Sequence, residues 1–109
     1  MKYFIEPKDR DGSMYWEFFR GPWNIRNKWW NENSICLDWV YYKEIEELIY
    51  KIIPNYDHYG ETEVSKSQWE QIKVLALAKG GEAASVVTEA EKWMVDTFSE
   101  HSVFTILGL

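Results

Sequence analysis

Three scarcities bound what this chain can be. It has one cysteine, Cys36, so no disulfide can form within it, which fits a reducing compartment. It has no apolar run approaching the ~20 residues of a membrane span, and its start, MKYFIEPKDRDG, lacks the apolar core of a signal peptide. The expectation is a soluble cytoplasmic protein with no membrane partner. Clustered basic charge is also missing. Residues 1–30 hold six Lys and Arg against four Asp and Glu, and residues 31–109 hold six against fourteen, giving the overall −6. Phosphate backbones are held by clustered Lys and Arg, so nucleic acid is a poor expected partner.

What the chain has in abundance is aromatic side chains. Trp16, Trp23, Trp29, Trp30 and Trp39, five of its seven tryptophans, fall in the first 39 residues. Hydrophobic content of 46% is too high for disorder, and 109 residues make one domain, spanning 1–109.

Read in order, Met1–Glu6 and Met14–Arg20 are strand candidates around a polar turn at Asp11-Gly12, and could pair as a long-looped hairpin. Gly21-Pro22 ends the second. Residues 23–33 show no clear periodicity and read as irregular structure or a twisted edge strand, and Ser34–Leu37 as a short buried strand. Asp38 is a candidate N-cap for a helix to about Ile53, with Tyr42, Ile45, Leu48, Ile49 and Ile52 on its apolar stripe. Asn55–Gly60 is a loop, and Glu61–Val64 continues it or is a short extended segment. Ser65 and Gln68 have capping-box spacing and open a helix with Trp69, Ile72 and either Leu75 or Ala76 inward, ending at Gly80-Gly81. A third helix from about Glu82 to Glu100 aligns Ala83, Val86, Val87, Ala90, Trp93, Met94, Thr97 and Phe98, and Ser102–Leu107 is a closing strand. The expected fold class is α+β, a mainly antiparallel sheet with about three helices packed on one face.

No complete catalytic motif is present, so no catalytic residue is assigned. His58, in Asp57-His58-Tyr59-Gly60, is a candidate general base with Tyr59 assisting, but the loop is explained more simply as a glycine turn with Asp57 holding backbone amides and the Tyr59 ring packed on the core. Pairing His58 with His101 would suit RNA cleavage, yet the nearest basic residues in sequence, Lys51, Lys66 and Lys92, sit among acidic ones. Cys36 between Ile35 and Leu37 reads as a buried hydrophobe. One Cys and two distant His give no zinc spacing, and no dense oxygen-ligand loop appears, so no metal or cofactor is expected. Of Trp29 and Trp30, a strand would place only one in the core, leaving the other exposed, buried under a loop or at an interface.

Acidic residues on the outer side of the first helix have solvation as their ordinary role. Glu47 and Lys51 are spaced for an i, i+4 pair. Glu44, Glu46 and Glu47, with Asp57, Glu61 and Glu63 of the next segment, make a patch of six carboxylates if the two segments adjoin. With Tyr50 and Tyr59, these are the candidate partner-binding residues, and their sign calls for a basic partner.

Two stretches, DHYGETEVSKSQWEQIKVLA (Asp57–Ala76) and SVFTILGL (Ser102–Leu109), about a quarter of the chain, look like segments of small bacterial immunity proteins. The chain as a whole, a small acidic tryptophan-rich domain without an active site, resembles the immunity proteins of toxin–immunity systems, those of contact-dependent growth inhibition in particular. The resemblance implies a non-enzymatic cytoplasmic inhibitor that binds one cognate toxin domain, often a basic nuclease, and blocks its active site. It assigns no individual residue. The alternatives are an adaptor or complex subunit, and after it a small nuclease using His58 and His101.

Overall fold

A computed structural model describes residues 1–12 and 14–108. Its strands are β1 (Phe4–Ile5), β2 (Tyr15–Arg20), β3 (Ile35–Asp38), β4 (Glu61–Ser65) and β5 (Val103–Leu107). Its helices are α1 (Trp39–Ile52), α2 (Lys66–Lys79), α3 (Gly81–Glu89) and α4 (Glu91–Glu100). The strands form one antiparallel sheet in the order β1-β3-β2-β5-β4. The fold is α+β, and no helix among the described residues is long and apolar enough to cross a membrane.

Local chemistry sets the helix starts. The Asp38 side chain accepts the Val40 N–H at 2.9 Å and opens α1. Ser65 accepts the Gln68 N–H at 3.1 Å while Gln68 accepts the Ser65 N–H at 2.9 Å, completing the capping box of α2. Gly80 and Gly81, at φ 76° and 58°, take the left-handed backbone that turns α2 directly into α3.

Two expectations need correction. β1 and β2 do not pair as a hairpin, because β3 lies between them and pairs with both. That order makes β1 and β2 parallel, which excludes a hairpin between them. The long helix expected from Glu82 to Glu100 is two helices joined at Ala90, whose ψ of −11° departs from the helical value of about −42°. The apolar stripe still runs through the joint, since Met94 donates to the Ala90 carbonyl at 2.9 Å. Glu89, just before the joint, turns its carboxylate to the N–H groups of Lys2, Tyr3 and Phe4 at 2.5, 2.9 and 2.7 Å and fastens β1 against the helices.

Strand alternation sorts the core. Phe4, Trp16, Phe18, Ile35, Leu37, Val64, Phe104 and Ile106 face the helices and join Tyr42, Ile45, Ile49, Trp69, Ile72, Val86, Ala90, Trp93 and Met94 in one buried cluster. The other face, with Tyr15, Glu17, Phe19, Cys36, Thr105 and Leu107, is buried as well. Its cover includes the irregular segment 21–34, tied down at Thr105 Oγ1, which donates to the Gly21 carbonyl at 2.8 Å, and at Glu17.

Candidate functional site

The segment after α1 returns beneath that helix before entering β4. Ile53 and Tyr56 are buried, and the Tyr56 N–H donates to the Ile53 carbonyl at 3.0 Å. Tyr42, Glu46 and Tyr50 follow one another at intervals of four along one flank of α1, and that flank meets the loop. The Tyr56 hydroxyl donates to Glu46 Oε2 at 2.9 Å and lies 2.6 Å from the Tyr42 hydroxyl, which therefore donates to it. His58 Nδ1 bonds the same oxygen, Glu46 Oε2. The imidazole is walled by Trp16 and Trp39, with ring centroids 5.1 and 5.7 Å away.

Burial, first of all, raises the Tyr42 hydroxyl well above the usual phenol value, with Tyr56 and Glu46 adding to it. Burial likewise raises Tyr56, where the bond from Tyr42 pulls the other way and the Glu46 carboxylate reinforces the rise. Both phenols keep their protons, so the chain of donation runs from Tyr42 through Tyr56 to Glu46.

The far end of the loop is equally fixed. Asp57 donates its N–H to Thr62 Oγ1 at 3.1 Å, and its Oδ1 accepts the Tyr59 N–H at 2.9 Å. The Gly108 N–H donates to the Gly60 carbonyl at 2.8 Å, and a Cβ on Gly108 would collide with the His58 carbonyl, so the end of β5 can lie against this loop only as glycine. The loop thus presents Tyr59, 78% exposed, from a braced backbone, and its ring does not pack on the core as expected.

The eight candidate partner-binding residues divide. Glu46, Tyr50, Asp57 and Tyr59 come together, with Tyr50 edge-on to Tyr56 at 4.8 Å, and Glu61 and Glu63 follow as exposed residues of β4. Glu44 and Glu47 lie towards α2, where Lys79 Nζ donates to the Glu44 carbonyl at 2.9 Å and pairs with Glu47 Oε1 at 3.2 Å. Glu47 is therefore bonded across helices to Lys79, in place of the expected Lys51 pair. Nor are the six carboxylates one free patch, because Glu46 is turned inward onto Tyr56 and His58.

The histidines do not meet. His58 packs on Trp16 near the start of β2, whereas the His101 ring lies against Gly21 just past its end. Five residues of strand separate those points, roughly 16 Å. Among the described residues no group of three or more His, Cys, Asp or Glu is placed to hold a metal ion.

Sequence reasoning set His58 aside as a turn residue, read Tyr42 only as part of the apolar stripe, and passed over Tyr56 and Glu17. The 42, 46, 50 spacing was the available signal for the first network. Glu17, fully buried in β2, accepts the Trp30 N–H at Oε1 (2.7 Å) and the Asn31 N–H at Oε2 (3.0 Å). Neither Trp29 nor Trp30 lies on a strand. Trp30 sits at φ 63° beneath the Arg10 guanidinium, 3.7 Å from its ring centroid, and Trp29 stays 40% exposed. Cys36 beside Glu17 has its thiol pushed up to about 12, first by burial and then by the Glu17 charge. Comparison with known proteins finds no matching family model, no matching curated protein and no matching solved structure.

Proposed function

We propose that this protein is a non-enzymatic binding protein of the immunity type, which docks on a basic toxin domain through the Tyr59 loop. One observation carries the reading. A network of buried Tyr42 and Tyr56 with half-buried Glu46 and His58 braces a loop whose tip is a tyrosine left 78% exposed. An aromatic side chain on an ordered backbone loses little entropy on docking, and tyrosine is enriched among the residues that dominate binding energy. Asp57 beside it, and the exposed Glu61 and Glu63 of the strand that follows, supply negative charge, which complements a basic partner and speeds encounter. Inhibition follows if the docked surface covers the toxin's active site.

The test is calorimetric titration against the product of the adjoining gene, wild type beside Tyr59→Ala. An anchor should cost at least about 2 kcal/mol, a loss of roughly thirtyfold. Wild-type protein that does not bind that product overturns the reading, and an unchanged Tyr59→Ala affinity removes the loop from the interface.

A further inference from the structure

β4 lies at the side of the sheet, paired with β5 alone. Its phase follows from two bonds. The Gly108 N–H donates to the Gly60 carbonyl, and the register runs on from Glu61 opposite Leu107 to Ser65 opposite Val103. Bonded pairs alternate in an antiparallel ladder. Thr62 and Val64 therefore direct their N–H and C=O groups at β5, and those of Glu61, Glu63 and Ser65 point away from the sheet. The Ser65 N–H agrees with this phase, since it is taken by Gln68 at the start of α2.

The two residues before it have no such partner. Among the described residues, no hydrogen bond reaches the N–H or C=O of Glu61 or Glu63 from outside the ladder. Two donors and two acceptors thus stand in a row along a stretch of roughly 7 Å. They lie in a groove of about 380 Å³, walled by Ile53 and Asn55 after α1 and by Trp23 of the segment covering the opposite face, with Gln68 also lining it.

Free strand edges are normally blunted or covered, because they template pairing with another chain. Charge decides which chain this edge accepts. Glu61 and Glu63 are two apart, so both side chains stand on the same face, and both are exposed. A second copy of β4 would bring carboxylates against carboxylates, which disfavours self-pairing. We propose that the free edge of β4 receives an extended segment of the basic partner as a sixth strand, with Lys or Arg at alternate positions opposite Glu61 and Glu63. The proposal rests on the reading of the protein as a binder of a basic protein. It adds backbone pairing beside the Tyr59 anchor, with side-chain charge setting register.

An octapeptide alternating Lys and Val, capped at both ends, is the probe, and its Glu/Val counterpart the control. On titration followed by nitrogen-edited NMR, the Glu61 and Glu63 amides should shift, and their hydrogen exchange should slow at least tenfold. Glu63→Pro deletes one outward N–H and leaves the β5 ladder whole, so its urea midpoint should hold while peptide affinity falls at least tenfold. The double variant Glu61→Gln/Glu63→Gln keeps every backbone group. It should weaken binding at low salt and match the wild type at high salt. Equal binding of the Glu/Val peptide, shifts confined to other elements, undiminished binding to a folded Glu63→Pro, or no binding up to about 1 mM would each overturn the proposal. The toxin titration separates the two readings. A product that binds Glu63→Pro as tightly as wild type but fails on Tyr59→Ala removes the edge and leaves the anchor.

Discussion

Two loops of this molecule are each fastened by one inward-turned glutamate, and they differ in what the carboxylate holds. Glu17 spends one oxygen on each of two backbone N–H groups, Trp30 and Asn31. Glu46 uses a single oxygen, Oε2, for both of its partners, which are side chains, Tyr56 and His58. The first arrangement fixes a backbone path whatever side chains the loop carries, and the aromatic segment it holds serves as cover for a sheet face. The second depends on the identity of the residues it binds, and the loop it holds displays Tyr59. A scaffold clamp and a presentation clamp thus share a residue type and separate by geometry.

The largest effect should come from the scaffold clamp. Glu17→Ala leaves two N–H groups without charge-assisted acceptors in a buried site, at a cost of about 4 kcal/mol read as the shift of a urea midpoint. Glu17→Gln should recover little, since an amide replaces one acceptor oxygen with a donor that faces an N–H. A Glu17→Gln protein as stable as wild type would mean that segment 21–34 is held by its aromatic packing instead.

Cys36 sharpens the same side of the comparison. Its folded thiol is raised to about 12, above the unfolded value of about 9. The folded state then retains a proton that the unfolded chain releases. Its contribution is fully present below about pH 9 and is lost as pH rises through 9 to 12, by up to about 1.4 kcal/mol per pH unit. Wild type should lose stability relative to Cys36→Ala over that range, by about 2 kcal/mol at pH 10.5. Parallel stability curves for the two proteins would show that the site opens to water before the thiol ionises.

What was legible in the sequence was what short-range spacing determines. The Ser65–Gln68 box lies three residues apart, and the α1 stripe of Tyr42, Ile45, Leu48 and Ile49 follows one helix face. Both are set by local geometry, so both could be read. The strand order could not, because β1 is two residues long and its partner β3, which sets Leu37 beside Phe4, begins some thirty residues further on. Neither clamp was legible as such. Glu17 lies 13 residues from Trp30, and Glu46 lies 12 from His58. A carboxylate on a strand or helix has the same spacing whether it meets water or a loop, and only the folded chain decides which. The acidic patch failed as one surface for the same reason, since Lys79 arrives from 32 residues beyond Glu47.

The smallest effect should be at the presentation clamp, and it tests the comparison most closely. Because both partners of Glu46 meet the same oxygen, Glu46→Gln can put its carbonyl oxygen there and keep both bonds, now to a neutral acceptor. Its stability loss should be under about 1 kcal/mol, against roughly 2–3 kcal/mol for Glu46→Ala, which takes away the acceptor of both the Tyr56 O–H and the imidazole beneath the loop. Hydrogen exchange of the Tyr59 amide is the deciding readout. Braced by Asp57 on a held loop, it should exchange at the wild-type rate in Glu46→Gln and faster in Glu46→Ala. If the two variants are equally destabilised, the charge of Glu46 and not the position of its oxygen holds the loop, and the two clamps work alike after all. If neither changes the exchange of Tyr59, the loop is held from its Asp57–Thr62 end, and the network under α1 is part of the core with no part in presenting the tyrosine.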